Sequence, residues 1–219
     1  MLYIVATPIG NLSDITLRAL ETLKSVDFIL CEDTRVTKNL LDHYKISKPL
    51  ISYHQHSDEK KIKEIKELME QGKNLALVTD AGTPGISDPG NQLIYDLGFR
   101  ISDLEITPIP GASALTTALS ISGFPTDKFV FMGFPPHKNK RQKFFKEVAD
   151  NKYTTVFYES NHRIKKCLEN LKEVLASDRQ VMICRELTKK FETIYRGTIE
   201  EILQMGIKEK GEFVVVVDC

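Results

Sequence analysis

The stretch "DAGTPGISDPG" at residues 80–90 places three glycines and two prolines within eleven residues. It follows the apolar run "LALV" at 75–78 and precedes "NQLIYDLGF", which has the pattern of a helix. Glycine lets a backbone come close to a ligand, and proline fixes the shape of a loop in advance. Taken alone, such a connection between a strand and a helix is plain turn chemistry, and a ligand site is indicated only if other strand ends carry similar loops.

Short β-rich runs alternate with helical patterns on both sides of this stretch. The predicted strands are 2–6, 27–31, 50–54, 74–79 and 105–109, and the predicted helices are 14–24, 34–44, 57–71, 90–97 and 111–121. Such alternation is typical of a mostly parallel sheet that is covered by helices.

A turn-rich stretch, "SGFPTD" at 122–127, interrupts this alternation. The sequence therefore predicts an α/β protein of two domains, an N-terminal domain over 1–123 and a smaller domain with a mixed sheet over 124–219. The predicted strands of the second domain are 128–134, 153–158, 180–185 and 212–218, and its predicted helices are 138–149 and 162–176.

Composition excludes several classes of protein. The formal net charge of the 219 residues is zero, so any nucleic-acid surface must be a local patch. The four cysteines show no CxxC spacing, which suits reduced thiols in the cytosol. The opening "MLYIVATPIG" lacks a basic lead and is too short for a signal peptide or a membrane span. We expect a cytoplasmic protein that does not act in a membrane.

Unusual loops follow all five predicted strands of the first domain. They are "TPIGN" (7–11), "EDTR" (32–35), "HQHSDE" (54–59), "DAGTPGISDPG" (80–90, called the opening stretch below) and "PIPGASA" (108–114). In an open α/β sheet, ligands bind outside the carboxyl ends of the strands. Each loop alone could be plain turn chemistry, but together they indicate one ligand cleft. The loops contain no P-loop, no GxGxxG fingerprint and no GxSxG nucleophile elbow.

Seven motifs in consistent order carry a resemblance to a known family. They are "LYIVATPIGNLSDITLRAL", "CEDTR", "DAGTPGISDPG", "PIPGASA", "FMGFPP", "FYESNHRI" and "RELTKKFE". The sequence thereby resembles the 16S ribosomal RNA (cytidine 2′-O) methyltransferase family, RsmI, of the tetrapyrrole-methylase superfamily. The resemblance implies a homodimer that holds S-adenosylmethionine (SAM) between its two domains. It also implies methylation of a ribose 2′-hydroxyl on a cytidine in the decoding centre of the small subunit.

The resemblance implies a set of cofactor contacts. They are Ile9, Gly10, Asp80, Gly82, Thr83, Pro84, Ser113 and Ala114, with Tyr158 and Cys184 on the adenine side from the second domain. Asp80 could pair with the ammonium group or lie near the sulfonium of SAM, or it could brace its own loop by accepting backbone amides. Ser113 could contact the cofactor from a helix start or simply cap the helix.

The resemblance also implies a set of catalytic positions. They are Glu32, Asp33, Arg35, Glu159, His162, Arg163, Arg185, Glu186 and Lys189. A protonated 2′-hydroxyl is a poor nucleophile, so a nearby proton acceptor should help the transfer. The eligible carboxylates are Glu32, Asp33, Glu159 and Glu186, and the sequence does not choose among them. Ordinary solvated charges at helix starts are the alternative for each motif.

Two further patterns concern metal and RNA. His54 and His56 could face one way on a strand, but no third ligand has convincing spacing, so we expect no metal. Residues 137–190 contain fourteen Lys and Arg against seven Asp and Glu, a basic excess that suits a surface along an RNA backbone.

The sequence departs from the family at two quoted motifs. Asn161 replaces the usual proline of "ESPHR", and Ser57 stands where the family usually has an asparagine. Two rival functions remain open at this point. One is a corrin or porphyrin carbon methyltransferase of the same superfamily, and the other is a non-catalytic RNA-binding assembly factor.

Overall fold

The computed structural model describes residues 1–54, 57, 59–88, 90–98 and 105–219. The chain divides into two compact units, Met1–Ser113 and Ala114–Cys219. This division differs from the sequence-based boundary at 123/124 by one helix, and that boundary stays a prediction. In the described part of the chain, no helix combines the length and the apolar character that a membrane span requires.

The first unit alternates strands and helices. Its strands are β1 (Leu2–Val5), β2 (Phe28–Cys31), β3 (Leu50–Ser52), β4 (Leu75–Leu77) and β5 (Ile106–Ile109). Its helices are α1 (Leu17–Ser25), α2 (Thr34–His43), α3 (Glu59–Glu70) and α4 (Gly90–Gly98). All the strand pairs are parallel, in the order β3-β2-β4-β1-β5.

The core of the first unit lies on both faces of this sheet. Ile29 and Cys31 of β2 pack with α1 and α2 on one face, whereas Leu30 packs with α3 and α4 on the other. Successive side chains of a strand point to opposite faces, so a continuous apolar strand such as "FILC" serves both layers. The unit is therefore a three-layer sandwich of helices, sheet and helices.

The second unit has a mixed sheet. Its strands are β6 (Phe129–Phe131), β7 (Thr154–Ser160), β8 (Gln180–Arg185), β9 (Thr193–Thr198) and β10 (Glu212–Val217), and its helices are α5 (Ala114–Ser122), α6 (Arg141–Asp150), α7 (Ile164–Val174) and α8 (Ile199–Met205). The order is β6-β7-β10-β8-β9, in which only β6 and β7 pair in parallel. Helices α6, α7 and α8 cover one core, and α5 contacts β7 and β10.

The predicted fold class is confirmed, with a parallel first sheet and a mixed second sheet. The sequence missed two elements, the edge strand β9 and the short helix α8. Strand β9 buries only Tyr195 and carries Gly197, so it lacks the apolar run that marks the other strands. Helix α8 starts with a capping box in which Thr198 and Glu201 satisfy each other's backbone amides.

Candidate cofactor and substrate site

The loops after β1 and β4 are joined by their main chains. The amide of Thr7 donates to the Gly82 carbonyl at 2.9 Å, and the amide of Gly82 donates to the Thr7 carbonyl at 3.1 Å. The Thr7 hydroxyl also donates to the carbonyl of Thr79 at 3.0 Å. Because parallel strands end at one edge of the sheet, these two loops meet there.

The loop after β5 packs against the same two loops. A Cβ atom added to Gly82, whose φ is +85°, would lie 3.3 Å from the Cγ2 atom of Ile9 and 3.7 Å from the Ala112 carbonyl. The Thr83 hydroxyl donates to that same carbonyl at 3.3 Å. A Cβ atom on Gly111 would lie 3.0 Å from the Cβ atom of Ala6. Three loops thus form one surface in which backbone groups lie very close together.

The chain that follows is braced by hydrogen bonds among Gly85, Asp88, Gly90 and Asn91. One Asp88 oxygen accepts the amides of Gly85 at 2.6 Å and Gly90 at 3.1 Å. The Asn91 side-chain amide donates to the Gly85 carbonyl at 2.7 Å. Asp88 therefore serves as a brace of its own loop.

The end of β2 reaches the end of β4 through two acidic residues. The amide of Asp33 donates to Asp80 Oδ1 at 3.1 Å. Asp33 caps α2 by accepting the Arg35 amide at 2.8 Å, and its other oxygen forms an ion pair with the Arg35 guanidinium at 2.6 Å. The Arg35 side chain is 88% exposed. Asp33 thus caps a helix start, and Asp80 accepts a backbone amide, as the structural alternatives for these residues predicted. Both carboxylates nevertheless lie at the edge of the sheet.

Charge is concentrated at this edge. Partial burial, followed by the nearby charges of Asp80 and Asp88, raises the pKa of Glu32. Partial burial and the charge of Asp33 raise the pKa of Asp80, although the Asp33 amide and Arg35 oppose the shift. Hydrogen bonds from Arg35 lower the pKa of Asp33 to about 2. A raised carboxyl pKa means that the negative charge is not fully compensated by its surroundings, so a cationic group would bind favourably here.

The remaining cofactor candidates of the first unit lie along the same loops. Ile9 and Pro84 are buried, Gly10 is exposed, and Ser113 is half-buried. Ser113 immediately precedes Ala114, the first residue of α5, so the helix begins three residues later than predicted. Residues 110–113 form a loop because Gly111 packs directly on Ala6.

The two cofactor candidates of the second unit have different environments. Tyr158 is half-buried, and its ring packs between Phe131 and Phe134 with centroid distances of 5.0 and 5.4 Å. Cys184 lies inside the sheet opposite Val214 and Ile194, and burial raises the pKa of its thiol to about 12. Tyr158 can therefore offer a ring to a ligand, whereas the Cys184 side chain is enclosed by protein.

Glu159 lies at the centre of a buried ion triad. Its side chain is fully buried, with Oε2 3.2 Å from Arg141 and Oε1 2.9 Å from Arg163. The Ser160 amide also donates to Oε1 at 2.8 Å. Arg141 was not among the predicted site residues, because its proximity to Glu159 is a tertiary contact. Both Glu159 oxygens are occupied by these structural partners.

The "RELTKK" motif forms a tight turn after β8. Arg185 is buried and donates to the carbonyls of Lys210 at 2.6 Å and Phe191 at 2.7 Å. Lys189 pairs with Glu186 at 3.1 Å and Glu212 at 2.7 Å. Partial burial raises the pKa of Glu186, but the Glu212 amide and Lys189 outweigh it and leave the pKa below its ordinary value.

The predicted histidines have different outcomes. His162 is exposed in the turn before α7, where its amide donates to the Asn161 side chain at 2.9 Å. The His54 amide donates to the Ser57 hydroxyl at 2.9 Å, so Ser57 closes a turn. His56 lies outside the described residues. Among the described residues, no three His, Cys, Asp or Glu side chains are grouped to hold a metal ion.

Sequence reasoning missed Thr7 as a site residue. It ties the first loop to the opening stretch through its backbone and through its hydroxyl. A threonine directly after a buried strand, in "TPIGN", was the available signal, because a hydroxyl at that position can reach a neighbouring strand end.

Comparison with known proteins identifies the class of this fold and site. Residues 1–203 match the family model described as Tetrapyrrole (Corrin/Porphyrin) Methylases, and the chain belongs to that family. Within it, the chain is 49% identical to the Ribosomal RNA small subunit methyltransferase I of Mycoplasmopsis pulmonis, over 98% of this chain and 96% of that protein. It is 46% identical to the protein of the same name from Synechocystis sp., over 99% of this chain and 78% of that protein.

These relatives confirm the resemblance found in the sequence, and they show that the chain is a methyltransferase. A solved structure, of the methyltransferase CobJ, has a TM-score of 0.71 with this chain and covers 99% of it and 93% of its own length. The sequence identity there is 17%, so this likeness supports the fold alone.

Proposed function

We propose that the chain catalyses SAM-dependent 2′-O-methylation of a cytidine ribose in the decoding centre of 16S ribosomal RNA. The names of relatives that are 46–49% identical along nearly the whole chain support ribosomal RNA as the substrate. The motifs from "CEDTR" to "RELTKKFE" support the ribose and the cytidine. The same resemblance supports a homodimer in the cytoplasm, which light scattering and cell fractionation would test.

The observation that carries this proposal is the meeting of the loops after β1, β2, β4 and β5 at one acidic edge. SAM supplies a methyl group on a positively charged sulfur and carries an ammonium group as well. Asp80 is well placed for such a cation, because its carboxylate lies at the strand ends and its charge is under-compensated. The loop that carries Asp80 is held close to its neighbours two residues further on, where Gly82 bonds to Thr7 and lies against Ile9 and Ala112.

Glu32 is the carboxylate that best suits the role of proton acceptor. Hydrogen bonds from Arg35 lower the pKa of Asp33 and make it a weaker base. Both Glu159 oxygens are already occupied by two arginines and a backbone amide. Glu186 has a lowered pKa and is paired with Lys189. The pKa of Glu32 is raised instead, and a stronger base accepts the 2′-hydroxyl proton more readily.

A methyl-transfer assay tests the proposal. The protein is incubated with radiolabelled SAM and small subunits from cells that lack it, and mass spectrometry locates the label. We expect the label on a cytidine 2′-oxygen. Label on a base would overturn the ribose assignment. Transfer to a corrin or porphyrin, with none to RNA, would favour the carbon methyltransferase that the superfamily also contains.

Calorimetry with SAM separates the enzyme from a non-catalytic assembly factor. We expect binding that is saturable and that weakens when Asp80 is changed. A protein that binds small subunits but shows no heat of SAM binding at millimolar concentration would be an assembly factor only.

A further inference from the structure

The loop at residues 133–136 of the second unit is held in place by two arginines that donate to its backbone carbonyls. Arg163 donates to the Pro135 carbonyl at 2.8 Å, and Arg141 donates to the carbonyl of the next residue, Pro136, at 3.3 Å. Both guanidinium groups are fixed in turn by buried Glu159. The ion triad therefore fixes the path of residues 133–136 from inside the protein.

The start of this loop is fixed as well. Gly133 has a φ of +65°, which favours glycine, and its carbonyl accepts the Tyr158 amide at 2.8 Å. Directly after it comes Phe134, which is 50% exposed. Its ring contacts Tyr158 edge-on at 5.4 Å, and Tyr158 contacts Phe131 at 5.0 Å. The result is a rigidly held aromatic side chain with half of its surface in solvent.

The chain around Phe134 is basic. Residues 128–146 contain six Lys and Arg and no Asp or Glu. Arg141 points inward to the triad, whereas Lys138 and Lys140 are exposed directly after the loop. Lys140 adopts a left-handed conformation, with a φ of +67°, where α6 begins. An exposed aromatic ring followed within a few residues by exposed lysines is an arrangement that suits binding of single-stranded nucleic acid.

We propose that Phe134 stacks on an unpaired nucleobase of the RNA substrate, while Lys138 and Lys140 contact the neighbouring phosphates. This inference rests on the proposed function, because it presupposes an RNA substrate. The triad of Arg141, Glu159 and Arg163 acts as a positioning device for this platform. Its two guanidinium groups donate to two consecutive carbonyls, those of Pro135 and Pro136. The excess of Lys and Arg in residues 128–146 favours RNA over a second copy of this chain, whose net charge is zero.

The test compares Phe134→Ala, Phe134→Trp and a matched control, Phe129→Ala. Phe129 is also exposed and lies five residues earlier, on β6. Binding of a fluorescein-labelled single-stranded RNA is measured by anisotropy, and binding of isolated small subunits by sedimentation. We expect Phe134→Ala to weaken RNA binding about tenfold, since base–aromatic stacking is of that order. Phe134→Trp and Phe129→Ala should bind as the unmodified protein does.

Three results would overturn the inference. RNA affinity that is unchanged in Phe134→Ala would remove the platform. A loss of SAM affinity in that variant would assign the ring to the cofactor instead, and a change in molar mass would assign it to contact between copies. Failure of the proposed function has a different signature: the unmodified protein would then bind RNA but transfer no methyl group to it. If the unmodified protein methylates RNA and Phe134→Ala binds RNA equally well, only the platform is lost.

Discussion

Thr7 and Gly82 exchange two backbone hydrogen bonds, at 2.9 and 3.1 Å, although 75 residues separate them in the chain. This pair lies where β1 and β4 end side by side in the sheet. It forces the opening stretch against the first loop, so that any group larger than hydrogen on Gly82 meets Ile9. This edge of the sheet is thereby a closely packed surface in which position 82 has room only for glycine.

Replacing Gly82 with alanine should damage both the fold and the site. We expect a loss of about 1–2 kcal/mol in the free energy of unfolding, because a left-handed φ strains an L-residue. SAM affinity should also fall, because the new Cβ atom lies 3.3 Å from Ile9. Urea unfolding and calorimetry measure the two effects.

Gly72→Ala is the matched control, since Gly72 has a φ of +77° and nothing within 4 Å of the added Cβ atom. It should lose similar stability and keep its SAM affinity. Equal SAM affinity in both variants would mean that the close contact at Gly82 plays no part in binding.

Changing Asp80 to asparagine should weaken SAM binding about tenfold. Asparagine keeps an oxygen for the Asp33 amide, so the change removes charge and little else. Hydrogen bonds to charged groups contribute roughly 1.5–3 kcal/mol, and 1.4 kcal/mol corresponds to a factor of ten. Asp14→Asn, an exposed acid in the short turn Leu12–Asp14, is the control and should bind normally. Calorimetry in which the two variants match each other would remove Asp80 from the site.

Asp80→Asn should be more stable than the unmodified protein at neutral pH when SAM is absent. The pKa of Asp80 is raised in the fold, so its stabilising contribution is present at acidic pH and is lost as the pH rises through that raised pKa. Asparagine avoids this loss. The difference between the two unfolding free energies should shrink as the pH falls through the carboxyl range. A constant difference would show that the charge of Asp80 is well compensated.

Glu32→Gln should lower kcat by about a hundredfold, with a smaller effect on KM, if Glu32 accepts the 2′-hydroxyl proton. In the unmodified protein, the rate should fall as the pH is lowered through the raised pKa of Glu32, because the protonated carboxyl cannot accept a proton. That acidic limb should disappear in Glu32→Gln. Glu186→Gln should retain it, since the pKa of Glu186 is lowered. An acidic limb that persists in Glu32→Gln would assign the proton to another group.

The sequence predicted the parallel strands and the loops of the first unit well, for a local reason. Each strand is a short apolar run, and each is followed by glycine, proline or acidic residues. Strands β1, β2 and β5 begin and end within one residue of their predicted bounds. The start of α5 was wrong by three residues, because Gly111 packs on Ala6, a contact that no local pattern contains.

The sequence was less informative where partners are distant. Among the four carboxylates that it proposed as proton acceptors, it had no means of separating Glu32 from Glu159. The difference comes from burial and from Arg141, which is 18 residues from Glu159 and reaches it only because α6 packs beside β7. Strand β9 was missed for a related reason, since its pairing with β8 is what stabilises it.

Glu159→Gln should destabilise the second unit strongly, by about 3–5 kcal/mol. Glutamine matches the shape of glutamate but leaves the buried guanidinium of Arg141 and the partly buried guanidinium of Arg163 without an anion. Urea unfolding followed by circular dichroism measures the loss. Glu147→Gln is the control, because its pair with Lys143 is exposed at 3.7 Å and should contribute less than about 0.5 kcal/mol.

Activity measured at low temperature, where more of Glu159→Gln is folded, separates a structural role of Glu159 from a catalytic one. If Glu159 serves the fold, the folded fraction of Glu159→Gln should bind SAM normally and keep the acidic limb of its pH–rate profile. RNA binding should weaken, because the carbonyls of Pro135 and Pro136 lose their fixed donors. A variant with unchanged unfolding free energy and a hundredfold lower kcat would instead make Glu159 the proton acceptor and leave Glu32 without that role.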